Sequence, residues 1–199
     1  MASDKRPTDE QKVFLERVIA RCNAEQKELS RTRAHVAWRN SNLSEPVRDC
    51  LFGLPGAGKS HCIKLLRKSF EGCLHWEPGV QFQCLAQQNT MASLIGGKTV
   101  NTWGVIPICP AVADRKRQAT SKDGDVDDIF LNTLGIRWII IDERSTISPQ
   151  LSSQLENALR RACQRHPYAR GDGRQRPFGG INIIFAGDLW QLGPVRAAA

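Results

Sequence analysis

The sequence predicts an α/β fold, a parallel sheet flanked by helices on both faces. Three observations carry that reading. Apolar runs at 47–52, 80–86, 138–141 and 181–186 alternate with stretches of helical periodicity, the pattern of strand–helix–strand crossovers. The run Trp138-Ile139-Ile140-Ile141 has no polar alternation, as in a central parallel strand covered on both sides. The run at 47–52 passes through Gly53-Leu54-Pro55-Gly56-Ala57-Gly58-Lys59-Ser60 into an amphipathic segment. That is a strand–loop–helix unit with G-x-x-x-x-G-K-[ST] at every fixed position.

In chain order, Thr8 and Gln11 form a capping box, and Val13, Phe14, Val18 and Cys22 continue a helix to about residue 29. Residues 30–46, with Arg31, Arg33, His35 and Arg39, read as a helix end and basic loop, so residues 1–46 are set apart from 47–199. The helix after the Gly-rich loop places Ile63, Leu66 and Phe70 on one face. A turn at Glu77-Pro78-Gly79 leads into the second strand. Met91, Leu94 and Ile95 suggest a short helix that Gly96-Gly97 ends. Two prolines make 106–112 irregular, and Arg115-Lys116-Arg117 followed by 123–128 reads as a basic patch and an acidic loop without chemistry. Ser148 caps a helix with Pro149 at its first position, continued by Leu151, Leu155, Leu159 and Ala162. Residues 165–180 form a basic loop, and the last strand ends near Asp188.

With 199 residues, 41 % of them hydrophobic, the chain suits one domain with an adequate core, or one domain and an incomplete second. A net charge of +8 favours an anionic partner, nucleic acid first; a merely soluble basic surface reads equally well from charge alone. Seven cysteines, with no C-x-x-C pair, imply reduced, mostly buried thiols in an intracellular protein and argue against a disulfide framework or a zinc site. No apolar run approaches the ~20 residues of a membrane span, and residues 1–7 lack a signal core.

In a parallel α/β sheet the ligand site lies at the carboxyl ends of the strands, where Gly53 to Ser60, Asp142-Glu143 and Gly187-Asp188 all fall. The loop residues Gly53, Leu54, Pro55, Gly56, Ala57 and Gly58 can present backbone N–H groups to phosphate oxygens. Lys59 adds a point charge for the outer phosphates, and the Ser60 hydroxyl is a ligand for Mg²⁺. Asp142 ends an apolar strand, where a carboxylate holds Mg²⁺ directly or through water; Glu143 is placed to orient or deprotonate an attacking water. Gln191 reads either as a sensor of the terminal phosphate or as a loop amide. Gln11 reads either as a helix cap or as an adenine contact.

Three ordered segments resemble one family. They are Ala92-Ser93-Leu94-Ile95-Gly96-Gly97-Lys98-Thr99-Val100-Asn101-Thr102-Trp103, Ile140-Ile141-Asp142-Glu143-Arg144-Ser145 and Phe185-Ala186-Gly187-Asp188-Leu189-Trp190-Gln191-Leu192-Gly193-Pro194-Val195. With the phosphate loop, they are similar to the Pif-type (petite integration frequency) DNA helicases of superfamily one, from Gln11 onward. The resemblance implies a RecA-like P-loop NTPase fold, with residues 47–199 as an ATP-binding motor domain. It implies ATP and Mg²⁺ at Gly58, Lys59 and Ser60, metal and water at Asp142 and Glu143, phosphate sensing by Gln191 and adenine reading by Gln11. Thr99, Asn101, Thr102 and Trp103 would contact single-stranded DNA, with Trp103 either stacking on a base or packing in the core.

Three departures bear on DNA affinity and coupling: Gln87-Gln88-Asn89 at the start of the DNA segment, Asn101 where the family has His, and Arg144 where it has an apolar residue. A helicase of this kind clamps ATP between two RecA-like domains, the second supplying an arginine finger, and residues 1–199 read as the first alone. The expected function is therefore that of a motor domain of an ATP-dependent DNA helicase. By family, it would move 5′ to 3′ and serve DNA repair, recombination and telomere or genome maintenance, in the nucleus or mitochondrion of a eukaryote or otherwise in the cytoplasm. A non-catalytic nucleotide- or DNA-binding module is the alternative, separated by whether these residues alone turn over ATP.

Overall fold

A computed structural model describes residues 6–34, 44–107, 122–163 and 176–188. Thr8 opens helix α1 (Asp9–Ala34) through a reciprocal capping box: the Thr8 amide donates to Gln11 Oε1 at 3.1 Å, and the Gln11 amide donates to Thr8 Oγ1 at 3.3 Å. The helix runs five residues beyond the expected end. Nothing between Leu29 and Ala34 breaks it, and Ser30 turns its hydroxyl back onto Lys27 O at 2.9 Å.

Strand β1 (Arg48–Phe52) leads through the Gly-rich loop into α2 (Lys59–Cys73). Then come β2 (Phe82–Ala86), α3 (Asn89–Leu94), β3 (Lys98–Thr99), α4 (Val100–Trp103), α5 (Lys122–Thr133), β4 (Trp138–Ile141), α6 (Pro149–Ala162) and β5 (Asn182–Gly187). The five strands are all parallel, in the order β1-β5-β4-β2-β3, so β4 is central as its unbroken apolar run predicts. Side-chain alternation along each strand sorts the core into two layers. Phe82, Cys84, Trp138, Ile140, Ile184 and Ala186 face α1 and α2, through Phe14, Val18, Cys22, Ile63, Leu66 and Phe70. Leu85, Ile139, Ile141 and Ile183 face the other way, against Trp103, Ile129, Leu151, Leu155 and Leu159 of α4, α5 and α6. Helices thus cover both faces, and α1 shares its core with the sheet, so the division at 46 follows no break in the core.

Two further expectations change. The acidic stretch 123–128 is not a loop: it lies within α5, which Ile129 anchors in the core and whose Thr133 hydroxyl donates to Ile129 O at 2.9 Å. β3 and α4, of two and four residues, are too short to show a period in the sequence. The second strand starts at Phe82, since the Val80 amide is held in a turn by Glu77 O at 3.1 Å. As expected, most of the described cysteines are buried: burial pushes Cys22 and Cys84 up to about 12 and Cys62 and Cys163 up to about 11, leaving these four as thiols, while Cys50 and Cys73 are exposed. Residues 108–121, with the basic patch, and 164–175, with most of the second basic loop, lie outside the described residues.

At the amino ends of the strands a buried polar group ties three distant segments. Asn182 Oδ1 accepts from the Val47 amide at 2.8 Å, and its Nδ2 donates to Arg137 O at 3.0 Å and to Glu25 Oε1 at 3.1 Å. Glu25, fully buried, pairs through Oε2 with Arg137 Nη2 at 3.2 Å, and the guanidinium lies over the Trp76 ring. This fastening leaves the carboxyl ends of the strands for the site.

Candidate nucleotide and DNA site

The loop from Gly53 to Ser60 sits at the carboxyl end of β1, largely exposed, as the sheet rule requires. Gly58 is left-handed (φ +83) and starts α2 without any side-chain cap, so the first amides of a 15-residue helix are open to an anion. A side chain at Gly58 would also strike Gln11 Nε2, 2.8 Å from a Cβ placed there. Gln11 itself does two jobs: its Oε1 closes the capping box and its Nε2 reaches Ala57 O at 3.4 Å. The cap reading holds, and the same side chain touches the phosphate loop.

Lys59 Nζ donates to Gly53 O at 2.6 Å and to Leu54 O at 3.0 Å, lying across the cradle it borders. Ser60 is exposed beside it. Across the sheet edge, Asp142 is buried; its amide bonds Leu85 O at 2.8 Å and its Oδ1 accepts the Glu143 amide at 2.9 Å. Burial pushes the Asp142 carboxyl above its ordinary value, against the Glu143 amide and the Lys59 charge, which hold it down. Glu143 is raised by burial first and by the Asp142 charge second, and Lys59 opposes this too. Glu143 adopts a left-handed backbone (φ +50), uncommon for a side-chain-bearing residue, and its carbonyl accepts from the Thr146 hydroxyl at 2.8 Å. Arg144, the charged departure, finds its partners in Ile147 O at 2.8 Å and the Phe185 ring.

This donor set suits a triphosphate with Mg²⁺. Ser60 and Asp142 offer hard oxygens, the open helix terminus and Lys59 offer positive charge, and the desolvated carboxylate is a group a cation would relieve. Gln191 lies outside the described residues.

The DNA-segment residues first serve the fold. Thr99 caps α4, its Oγ1 accepting the Thr102 amide at 3.1 Å and lying 2.8 Å from Thr102 Oγ1. Asn101 Nδ2 donates to Ile106 O at 3.2 Å. Trp103 is 1 % exposed, packed in the core layer of α4–α6, and its carbonyl accepts from Asn132 Nδ2 at 3.0 Å. That corrects the stacking expectation: the ring is a core aromatic with no face for a base. Lys98 and Thr102 are exposed on this edge. Lys98 was not singled out from the sequence, and only its place on an edge strand marks it.

A family model described as PIF1-like helicase matches residues 22–199, a segment that begins after Gln11. Among curated proteins, the chain is 28 % identical over 143 residues to the ATP-dependent DNA helicase RRM3 of Saccharomyces cerevisiae, covering 72 % of this chain and 18 % of that protein. It is likewise 28 % identical over 148 residues to the ATP-dependent DNA helicase PIF1 of Homo sapiens, covering 72 % and 19 %. It is 28 % identical over 145 residues to Pif1 of Bdellovibrio bacteriovorus, covering 73 % and 29 %. The chain therefore spans less than a third of the length of these relatives. In fold it is similar to a Bacteroides Pif1 helicase solved with ADP-AlF3 and ssDNA (TM-score 0.60, 21 % identity, 96 % of this chain and 34 % of that one). It is also similar to Pif1 from Candida albicans (TM-score 0.59, 22 % identity, 96 % and 34 %). With a parallel RecA-like sheet, a phosphate loop and a strand-end carboxylate pair at its carboxyl edge, and a family match over nearly its whole length, the chain belongs to the PIF1-like helicase family.

Proposed function

We propose that this chain is the first motor domain of an ATP-dependent DNA helicase, binding ATP with Mg²⁺ and coupling its hydrolysis to single-stranded DNA. The observation that carries the reading is the uncapped start of α2 with Lys59 lying across the phosphate loop, set at the same carboxyl edge of the sheet as Asp142 and Glu143. When bound, Mg²⁺ supplies charge neutralisation at the outer phosphates. Ser60 and Asp142 would hold it. The Lys59 ammonium exchanges the carbonyls of Gly53 and Leu54 for phosphate oxygens. Glu143, its carboxyl raised toward the working pH, takes the proton of the attacking water. Gln11 carries the base side of the cradle through its contact with Ala57 O, and Gln191 senses the terminal phosphate. Lys98 and Thr102 meet DNA phosphates, with Thr99 and Asn101 holding their shape.

A second RecA-like domain completes the ATP clamp with its arginine finger. Movement 5′ to 3′, roles in repair, recombination and telomere or genome maintenance, and a nuclear, mitochondrial or cytoplasmic address belong to this proposal on family grounds.

The test measures phosphate release by the protein carrying its second domain, with and without an oligo-dT strand. Stimulation by the strand, lost in Lys59→Ala, is expected. Hydrolysis indifferent to the strand would sink the helicase reading, and robust turnover by residues 1–199 alone would show that no second domain is needed.

A further inference from the structure

α2 starts at the phosphate loop, and one of its side chains leaves the helix for a different segment. Arg67 lies eight residues beyond Lys59, about 12 Å along the axis. Its Nη1 donates to Ile95 O at 2.5 Å, while Nε and Nη2 hold Glu71 Oε1 at 3.3 and 2.8 Å. Ile95 is the C-cap of α3, and its carbonyl belongs to the group that helix ends leave without an internal partner. The next residue, Gly96, is left-handed (φ +61), and a Cβ there would collide with Arg67 Nη1. On the opposite side Gly97 lies against Cys84 O of β2 with no room for a Cβ. The turn 95–97 is thus gripped between the α2 guanidinium and the β2 backbone. Lys98 follows directly, with Thr99 and Thr102 after it.

A planar fork suits this place. Arginine can satisfy a carboxylate and a carbonyl at once, which lysine's point charge does less well. Helices are the rigid members through which a local change travels. We infer that Arg67 is a positioning residue: it passes a change at Gly53–Ser60, carried by α2, to the turn 95–97 and so to the Lys98–Thr102 edge. It thereby sets how strongly nucleotide and single-stranded DNA binding depend on each other. The inference rests on the proposed function for the identity of the second ligand.

The experiment uses the full chain, with ATPγS–Mg²⁺ as the nucleotide probe and oligo-dT as the strand. Amide exchange over 95–103 is followed with and without ATPγS, and the oligo-dT dissociation constant is measured in both states. In the wild type ATPγS alters exchange over 95–103 and shifts oligo-dT affinity about fivefold or more. In Arg67→Ala the affinity for ATPγS stays within about twofold, while the exchange response disappears and the shift falls toward one. Arg67→Lys, which keeps the charge beside Glu71 and guards against simple misfolding, retains part of both. A wild-type response preserved in Arg67→Ala overturns the inference, as does a wild type whose 95–103 amides ignore the nucleotide. A wild type whose amides respond through Arg67 but which binds no oligo-dT supports the relay and defeats the helicase reading instead.

Discussion

Glu25 Oε1 accepts a hydrogen bond from Asn182 Nδ2 at 3.1 Å, joining helix α1 to strand β5 across 157 residues of chain. Because Glu25 is fully buried and also paired with Arg137, removing it leaves a guanidinium without its carboxylate inside the protein. Glu25→Ala should cost about 3 kcal/mol in urea unfolding, and Glu25→Gln, which can still accept from Asn182, clearly less. Nucleotide affinity of the folded protein should not change, since this group lies at the opposite end of the strands.

Lys59→Ala should remove the stabilisation that nucleotide confers. At a ligand concentration about a hundred times its dissociation constant, a bound ligand adds about 2.7 kcal/mol to stability. The rise in melting temperature with ATP and Mg²⁺, present in the wild type, should vanish in the variant. A full rise in the variant would show that the lysine bridging Gly53 and Leu54 carbonyls never turns to the phosphates.

Asp142 sets a pH dependence. Its folded carboxyl titrates above the ordinary value because burial disfavours the charge. Between the two values the folded protein holds more protons than the unfolded chain, so this group's contribution to stability falls as pH rises through that window. Above that window the desolvated carboxylate weighs against the fold. Asp142→Asn, which keeps the acceptor for the Glu143 amide, should raise the urea midpoint of the nucleotide-free protein at neutral pH while weakening Mg²⁺-dependent nucleotide binding. The gain should disappear in acid below the ordinary carboxylate range. A gain that persists there would point to packing, not charge.

Trp103→Leu distinguishes a core ring from a stacking platform. Loss of a fully buried indole should cost about 3 kcal/mol of stability. Oligo-dT affinity of the folded variant should stay near the wild type. Losing a base stack, worth about 1–3 kcal/mol, would instead weaken binding several-fold or more in titrations by anisotropy.

Gly97→Ala should destabilise by about 2 kcal/mol or more, because its Cβ would meet the Cys84 carbonyl, a backbone atom that cannot step aside. Thermal melts of the single variant check this.

What the sequence made legible follows from the range of each signal. The phosphate loop, the β4 run ending in Asp142 and the Ser148–Pro149 helix start each carry their cause within a few residues, and each stands where local chemistry puts it. The Ser148 hydroxyl, for instance, accepts the Leu151 amide at 3.1 Å. β3 and α4 are too short to signal themselves; they exist because Gly97 settles onto β2 and Thr99 caps the turn that follows. The α5 helix hid behind its aspartates, since its support is Ile129 against a distant layer. Trp103 carried two readings until the packing of α4 decided one. Gln11 carried two that do not compete, because its oxygen and its amide nitrogen point to different partners. The reach of Arg67 to Ile95, 28 residues on, has no local signature at all.

The order of strands has a consequence for how the protein is made. Of the described strands β5 is synthesised last, yet it lies between β1 and β4, and β5 is the only strand that β1 pairs with among the described residues. At about 5–20 residues per second, β1 and the loop it launches wait on the order of ten seconds after translation before their neighbour emerges. In that interval the nascent chain carries an unpaired strand edge, a surface on which chaperones or other unfinished copies would compete for the place that β5 later takes.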